Sequence, residues 1–237
     1  MILSFNIEYR TNWGEEVKLA GLSTESTPMY TTDGIYWMAE VELEVPQEGL
    51  TIHYSYQIEQ NGIVIRKEWN NFPRCLFLSG TPRKKYRIND CWKNIPEQLY
   101  LYSSAFTEAL LSHPEREDIP QGYKKGLIIK AYAPRINKDY CLAICGNQKA
   151  LGNWDPEKAV LMSDSNFPEW QVELDASKLK YPLEYKFILC HKQERKIDCW
   201  EKNPNRYLAD PEIKTNETLV ISDRYVYFDI PIWKGAG

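Results

Sequence analysis

The chain has 237 residues, a hydrophobic content of 43% and a formal net charge of −4. This length has room for two domains of ordinary size, and the apolar content is sufficient for two packed cores. A nucleic-acid partner is not expected, because a phosphate backbone needs clustered Lys and Arg and the net charge here is negative.

Short runs that alternate apolar and polar residues dominate the chain. Phe5 to Tyr9 near the start and Trp170 to Leu174 further along are examples. A period of two is typical of half-buried β-strands. Turn-forming pairs such as Asp33-Gly34 and Asn61-Gly62 separate the runs. The pattern therefore predicts an all-β protein built from antiparallel β-sandwiches.

The runs recur in the same order in the two halves of the chain, and each half has tryptophans at corresponding places. The matching segments are 34–43 with 167–176, 52–59 with 183–190, and 65–69 with 196–200. Two copies of one domain explain this order, and a solenoid does not. We predict two tandem immunoglobulin-like antiparallel β-sandwiches, at residues 1–93 and 123–233.

Residues 94–122 are predicted to form a linker between the two copies. Within it, the segment from Ser103 to Leu111 predicts one short helix with a serine at its N-cap. The polar residues that follow, with Pro and Gly among them, are typical of a linker.

The N-terminus and the cysteines indicate a cytoplasmic protein. The first residues lack the basic region, apolar core and cleavage site of an export signal, and no stretch is long enough to span a membrane, so no membrane partner is expected. The six cysteines form no CxxC pair and the three histidines are scattered. We therefore expect reduced thiols, no metal and no cofactor.

Two tryptophans of the second copy, Trp154 and Trp200, lie in polar, turn-rich segments. A single loop tryptophan more often covers a core, but two in one small domain indicate a binding platform. An indole face matches the flat C–H patch of a pyranose ring. The hydroxyls at the ring edge then need polar partners, for which Lys186 and Asn205 are suitable donors and Glu184 a suitable acceptor.

Much of the second copy resembles a starch-binding domain of carbohydrate-binding module family 20. The segments that resemble it are Gly146, LGNWDPEKAVLM (151–162), EWQVEL (169–174), LEYKF (183–187) and WEKNPNR (200–206). They cover most of 124–233. The resemblance implies one sugar site formed by Trp154, Lys186, Trp200 and Asn205, with Glu184 as a further member.

The family has a second sugar site, with an aromatic residue before a Gly-Glu pair. The second copy has no such pair near its opening strand, whereas Trp13-Gly14-Glu15 fits the pattern in the first copy. Its expected companions are Tyr30, Tyr36 and Trp37. Since Tyr36 and Trp37 are adjacent in a strand, one is expected in the core and the other in solvent.

The first copy lacks most of the other site. It has no LGNW sequence, and Ser55 stands where the second copy has Lys186. Only Trp69 is expected to remain of that site. A non-binding spacer is the alternative interpretation of this copy.

Three further segments are Phe5 to Gly14, Tyr54-Ser55-Tyr56 and Ser103 to Phe106. With them, the pair of copies also resembles the N-terminal region of plant-type disproportionating enzymes, which are 4-α-glucanotransferases of the amylomaltase class (glycoside hydrolase family 77). In those enzymes two such modules precede a catalytic barrel. The resemblance implies that 234–237 begin that barrel, and that the chain is a truncated piece whose partners are its own catalytic domain and an α-1,4-glucan.

No catalytic residue is assigned within the chain itself. A glycosidase needs two carboxylates about 5 to 10 Å apart across a cleft, and none of the acidic residues stands in a distinctive pattern. The predicted function is therefore non-catalytic glucan binding that tethers the enzyme to starch, glycogen or maltodextrin. The alternatives are structural, regulatory or dimerisation modules with vestigial sugar binding, and an unrelated immunoglobulin-like adhesion module.

Overall fold

The structure is a computed structural model. It describes residues 1–69, 73–80, 85–94, 122–133, 136, 139–194, 196–223 and 226–228. The predicted linker helix, nearly all of the predicted linker and residues 234–237 lie outside the described residues.

Seventeen strands are described, in chain order. They are β1 (Ile2–Glu8), β2 (Glu15–Ala20), β3 (Thr27–Pro28), β4 (Tyr36–Glu42), β5 (Leu50–Gln60), β6 (Ile63–Lys67), β7 (Arg74–Leu78), β8 (Lys85–Cys91), β9 (Lys125–Tyr132), β10 (Tyr140–Gly146), β11 (Val160–Leu161), β12 (Ser163–Asn166), β13 (Glu169–Asp175), β14 (Leu183–His191), β15 (Ile197–Trp200), β16 (Arg206–Leu208) and β17 (Glu217–Ser222). The described helices are three short 3-10 turns, at Lys149–Trp154, Pro156–Lys158 and Ala176–Lys178. The prediction of an all-β fold is confirmed.

The chain divides into two compact units. Among the described residues, the first unit holds 1–94, 122–128 and 213–222, and the second holds 129–212 and 223–228. Strand β17 thus belongs to the first unit, although the sequence-based boundaries place it in the second copy. The predicted boundary between the copies stays a prediction, because the linker lies outside the described residues.

The first unit has two sheets with a core between them. One contains β17, β8, β1 and β4 in that order, and the other contains β3, β2, β5 and β6, with β7 paired to β5. Alternate residues of β1 and β5 are buried in one shared hydrophobic cluster, which is the arrangement of a β-sandwich. The first sheet is not purely antiparallel, because β8 runs parallel to both β1 and β17.

The second unit is built in the same way. Strands β12 and β13 and residues 129–132 of β9 follow one another in one sheet, and β11, β10, β14 and β15 in another, with β16 paired to β14. Residues 125–128 of β9 belong to the first unit. Trp170 of β13 is completely buried, so it belongs to the core. One face of the β10–β14–β15 sheet carries the residues that form the site described next.

A candidate carbohydrate-binding site

The loop that presents Trp154 has an unusual backbone. It leaves β10 at Gly146 and makes a 3-10 turn in which Gly152, Asn153 and Trp154 have φ angles of 81°, 52° and 60°. A Cβ at Gly152 would lie 2.9 Å from the carbonyl oxygen of Lys158. Both the left-handed conformation and the close approach therefore require glycine there.

Trp154 is held in a conformation that a bulky residue rarely adopts. The left-handed region costs a residue with a Cβ roughly 1–2 kcal/mol, and such strain persists only where the surroundings impose it. Here the backbone N–H of Asn153 donates to the carbonyl of Gln148 at 2.9 Å. Burial raises the pKa of the nearby Cys145 thiol, against the opposing effect of the backbone N–H groups of Gly146 and Trp154. The loop thus fixes the direction of the indole.

Trp154 and Trp200 stand together. Their ring centroids are 6.2 Å apart and the ring planes are inclined by 47°. Trp154 is half-buried, and Trp200, the last residue of β15, is 36% exposed. The two indoles therefore form one tilted aromatic surface that is open to solvent in part.

The polar residues of the predicted site lie on the same face of the sheet as Trp200. Trp200 pairs with Ile188 of β14, and side chains at positions i, i−2 and i−4 of a strand share a face. Lys186 and Glu184 thus point to that side. Asn205 joins them, because its Nδ2 donates to Glu184 Oε1 at 2.7 Å. Within the described residues, the Lys186 ammonium makes no hydrogen bond or ion pair.

A buried ion network lies on the opposite face of β14. Arg206 donates to both carboxylate oxygens of Glu201, at 3.2 and 2.9 Å, and forms an ion pair of 3.4 Å with Asp223. Glu201 Oε1 also accepts the backbone N–H of Phe187 at 2.8 Å, and Tyr185 donates to Asp223 at 2.7 Å. Since Glu201 follows Trp200 directly and Arg206 follows Asn205, the network fixes the backbone at both ends of the site.

Burial controls the titration of this network. It raises the pKa of the Glu201 carboxyl above its ordinary range, against the opposing effect of the hydrogen bond from Arg206. Burial also raises the pKa of Asp223, and it raises the pKa of Tyr185 well above the usual phenol range, with the Asp223 charge adding to the effect. Tyr185 therefore remains a hydrogen-bond donor at neutral pH.

The first unit has a network of the same composition. Arg74 donates to Glu68 at 3.1 and 2.7 Å and to Asp90 at 3.0 Å. The Glu68 carboxylate accepts the backbone N–H of Tyr56 at 3.1 Å, and the hydroxyls of Tyr54 and Tyr56 donate to Asp90 at 3.0 and 2.9 Å. Glu68, Arg74, Asp90 and Tyr54 correspond to Glu201, Arg206, Asp223 and Tyr185, whereas Phe187 stands at the place of Tyr56 and lacks its hydroxyl.

This network corrects the match between Trp69 and Trp200. The backbone N–H of Glu68 donates to Tyr56 as that of Glu201 donates to Phe187, both at 3.0 Å. The residue before each glutamate is Lys67 in one unit and Trp200 in the other. Trp69 corresponds instead to Lys202, and it is only 8% exposed. The prediction that Trp69 remains as a sugar-binding residue is therefore wrong, because its indole is buried.

The residues predicted for the first-unit site begin with Trp13, which lies in the turn before β2. Trp13 is 99% exposed in a turn whose Glu15 carboxylate accepts the backbone N–H of Asn12 at 2.8 Å. That turn is held to the next one by a hydrogen bond of 3.0 Å from the N–H of Thr11 to the carbonyl of Gly34. The indole of Trp13 is thus presented to solvent from an ordered turn.

Exposed aromatic and apolar side chains continue on β4. The prediction for the adjacent pair is confirmed: Tyr36 is exposed, whereas Trp37 is 5% exposed and belongs to the core. The expectation that Trp37 belongs to the sugar site is therefore corrected, because its indole lies in the core and Tyr36 is the exposed member of the pair. The exposed Tyr30 pairs with Met38 through two backbone hydrogen bonds of 2.7 and 2.8 Å, and Met38 is exposed two residues beyond Tyr36.

Sequence reasoning missed several residues near these sites. Met38 follows Trp37 in β4, and successive strand residues point to opposite faces. Once Trp37 is assigned to the core, this alternation places Met38 on the exposed face. Tyr207, which is 68% exposed and pairs with Glu184, gave no signal, because its face depends on strand pairing. Arg206 and Glu201 lie in a segment that the sequence alone marks only as polar and turn-rich, so their ion pair depends on the fold.

Residues 129–220 match the family model described as "Starch binding domain". The family resemblance predicted for this segment is confirmed. The matched range contains Trp154, Lys186, Trp200 and Asn205, which the structure brings to one face of a sheet. In the part of the chain that the structure describes, no group of three or more His, Cys, Asp or Glu residues could hold a metal ion.

The chain is also similar to a curated plant protein. It is 24% identical over 261 aligned residues to "4-alpha-glucanotransferase DPE2" of Oryza sativa subsp. japonica, and the match covers 99% of this chain and 27% of the plant protein. The chain thus spans about a quarter of the length of that relative.

Two solved structures are similar as well. The glycoside hydrolase family 15 glucoamylase from Hypocrea jecorina has 23% identity and a TM-score of 0.36, covering 48% of this chain and 19% of that chain. The family 20 carbohydrate-binding module of a maltotetraose-forming amylase from Pseudomonas saccharophila STB07 has 17% identity and a TM-score of 0.33, covering 41% of this chain and 99% of that chain. No described helix is long and apolar enough to cross a membrane.

Proposed function

We propose that the second unit binds α-1,4-glucan without catalysing its conversion. The observation that supports this most strongly is the meeting of Trp154 and Trp200, at 6.2 Å, on the sheet face that also carries Lys186, Glu184 and Asn205. Aromatic faces stack on the C–H patches of the glucose rings. The ammonium, carboxylate and amide groups then bind the hydroxyls.

The first unit is proposed to carry a second, different glucan surface. Trp13, Tyr30, Tyr36 and Met38 are its exposed members. The recurrence of the Glu–Arg–Asp–Tyr network supports the view that both units are copies of one domain. Among the described residues of the first unit, two members of the second-unit site have no equivalent, since Lys67 replaces Trp200 and Ser55 replaces Lys186.

The whole protein is proposed to be a 4-α-glucanotransferase whose catalytic domain lies outside this chain. The similarity to the rice protein over nearly all of the chain supports this. The two units would then tether the enzyme to starch, glycogen or maltodextrin. A single site with two stacking platforms gives a modest dissociation constant, of the order of tens of μM to mM, or about −4 to −6 kcal/mol.

The test is titration of the chain with maltoheptaose or β-cyclodextrin, followed by calorimetry and by tryptophan fluorescence. The measurements use a Trp13→Ala variant as the parent protein, in which binding by the first unit is expected to be reduced. In that parent, Trp154→Ala and Trp200→Ala are each expected to weaken binding at least tenfold, or about 1.4 kcal/mol. Leu161→Ala, which removes an exposed apolar side chain of β11, is the control and should leave the affinity within about twofold.

Unchanged affinity in the Trp154→Ala, Trp200→Ala double variant would overturn the site. In that case a structural or dimerisation role becomes the better explanation. Analytical ultracentrifugation with and without glycan would then measure the oligomeric state.

A further inference from the structure

Tyr207 stands beside the polar residues of the site. It pairs with Glu184 across strands β16 and β14, and residues directly opposite in antiparallel strands point to the same face. Glu184 is also the hydrogen-bond acceptor of Asn205 at 2.7 Å. Tyr207 as a whole residue is 68% exposed. A lone exposed apolar side chain is ordinary, but this one adjoins two groups suited to binding hydroxyls.

Tyr207 and Trp200 mark the two ends of a strip along β14. Trp200 pairs with Ile188 and Tyr207 with Glu184, and Lys186 lies between them on the same face. The four residue-to-residue steps from Glu184 to Ile188 extend about 13 Å, which is longer than one pyranose ring. Tyr207 is therefore too far along the strip to touch the ring that stacks on Trp200, and suitably placed for a ring further along the same chain.

We propose that Tyr207 forms an additional glucan subsite, which extends the Trp154–Trp200 site along β14 and makes affinity depend on oligosaccharide length. This inference rests on the proposed glucan-binding function of the second unit. A glucose ring stacks on the phenol ring, while Glu184, Asn205 and Lys186 bind hydroxyls of the rings between the two aromatic ends. A short oligosaccharide reaches only the tryptophans, and a longer one reaches Tyr207 as well.

The experiment compares maltotriose with maltoheptaose by calorimetry, using the full chain with Trp13→Ala as parent. The parent should bind maltoheptaose more tightly than maltotriose. Tyr207→Ala should weaken maltoheptaose binding by about fivefold or more and change maltotriose binding by less than about twofold. Tyr207→Phe, which keeps the stacking ring, should retain the preference for length. Ile63→Ala is the control, because Ile63 of β6 is exposed to the same 68% and lies in the first unit.

Three results would overturn the subsite. They are no preference for length in the parent, no change on Tyr207→Ala, and an equal loss for both oligosaccharides on Tyr207→Ala. Trp200→Ala distinguishes failure of the subsite from failure of the proposed glucan site, because it should weaken the binding of both maltotriose and maltoheptaose. If it weakens neither, the glucan site itself is wrong and the subsite is overturned with it. Thermal unfolding of each variant shows whether its fold is retained.

Discussion

At the scale of single residues, the candidate site depends on a strained loop. Trp154 has a φ angle of 60°, a region that glycine and asparagine adopt far more readily than tryptophan. Gly152 and Asn153, which precede it, suit the same region. An indole held in this way loses little conformational freedom on binding, because its backbone is already fixed.

The pKa of Asp155, the residue that follows Trp154, is lowered by its hydrogen bonds. Asp155 accepts hydrogen bonds from the Lys158 ammonium and from the backbone N–H of Glu157, and both lower the pKa of its carboxyl below the ordinary 3.8. The same contact raises the pKa of Lys158 above its ordinary 10.5. The contribution of Asp155 to stability is present above pH 3.8 and is lost as the pH falls through the lowered value. That of Lys158 is present below pH 10.5 and is lost as the pH rises through the raised value.

We therefore expect carbon-detected NMR to show an Asp155 titration midpoint below 3.8. Lys158→Ala removes the largest cause, so the midpoint should move upward. Lys178→Ala, which removes a different aspartate–lysine contact, is the control and should leave Asp155 unchanged. An Asp155 midpoint that does not respond to Lys158→Ala would contradict the assigned cause.

At the scale of elements, the two faces of strand β14 in the second unit carry different groups of residues. One face of β14 carries the polar residues of the site, and the other face carries the network around Arg206. A strand that alternates between faces can do both, because successive side chains point in opposite directions. The Glu201–Arg206 contact closes the segment from Trp200 to Arg206 into a fixed loop, so the network positions Trp200 and Asn205 from the opposite face of β14.

Arg206→Met should therefore destabilise the protein by about 3–5 kcal/mol, because it leaves buried carboxylates without their partner. Arg74→Met should have a similar effect through the equivalent network. Urea unfolding measures both. The control is Lys85→Met, which breaks an exposed pair with Glu40 and should cost no more than about 1 kcal/mol.

The Arg206→Met and Arg74→Met variants also test whether Arg206 positions the binding residues in addition to stabilising the fold. Under conditions where both remain folded, Arg206→Met should weaken maltotriose binding in the Trp13→Ala parent, and Arg74→Met should not. The double change Glu201→Gln with Arg206→Met should recover part of the stability, since it removes one of the two carboxylates that Arg206→Met leaves without a partner. Equal maltotriose affinity in the Arg206→Met and Arg74→Met variants would contradict a positioning role for Arg206.

At the scale of the whole molecule, two modest sites on one chain can act together on a polymer. When one site holds a long glucan, the other meets that glucan at a high effective concentration. A gain of this kind depends on ligand length and valence, and it does not require tight binding at either site. The surfaces around Trp13 and Trp200 are the two candidates.

Co-sedimentation with amylose should therefore respond more strongly than oligosaccharide titration to the loss of either surface. We expect Trp13→Ala and Trp200→Ala each to reduce retention on amylose by about tenfold or more, since each removes the multivalent gain. The affinity of the remaining site for maltotriose should change little. If Trp13→Ala leaves retention on amylose unchanged, the first unit is a spacer and does not bind glucan.

The sequence by itself determined the all-β class, and it supplied the set of residues that is proposed for the second-unit site. Both depend on local patterns: alternation with a period of two, and the short segments around Trp154, Lys186 and Trp200. Only the tertiary structure decided which aromatic side chains are exposed, because burial depends on strand pairing between distant segments. Trp37 and Trp69 are therefore buried although they resemble binding residues, and Tyr207 is exposed beside Glu184 although its own segment gave no sign of it.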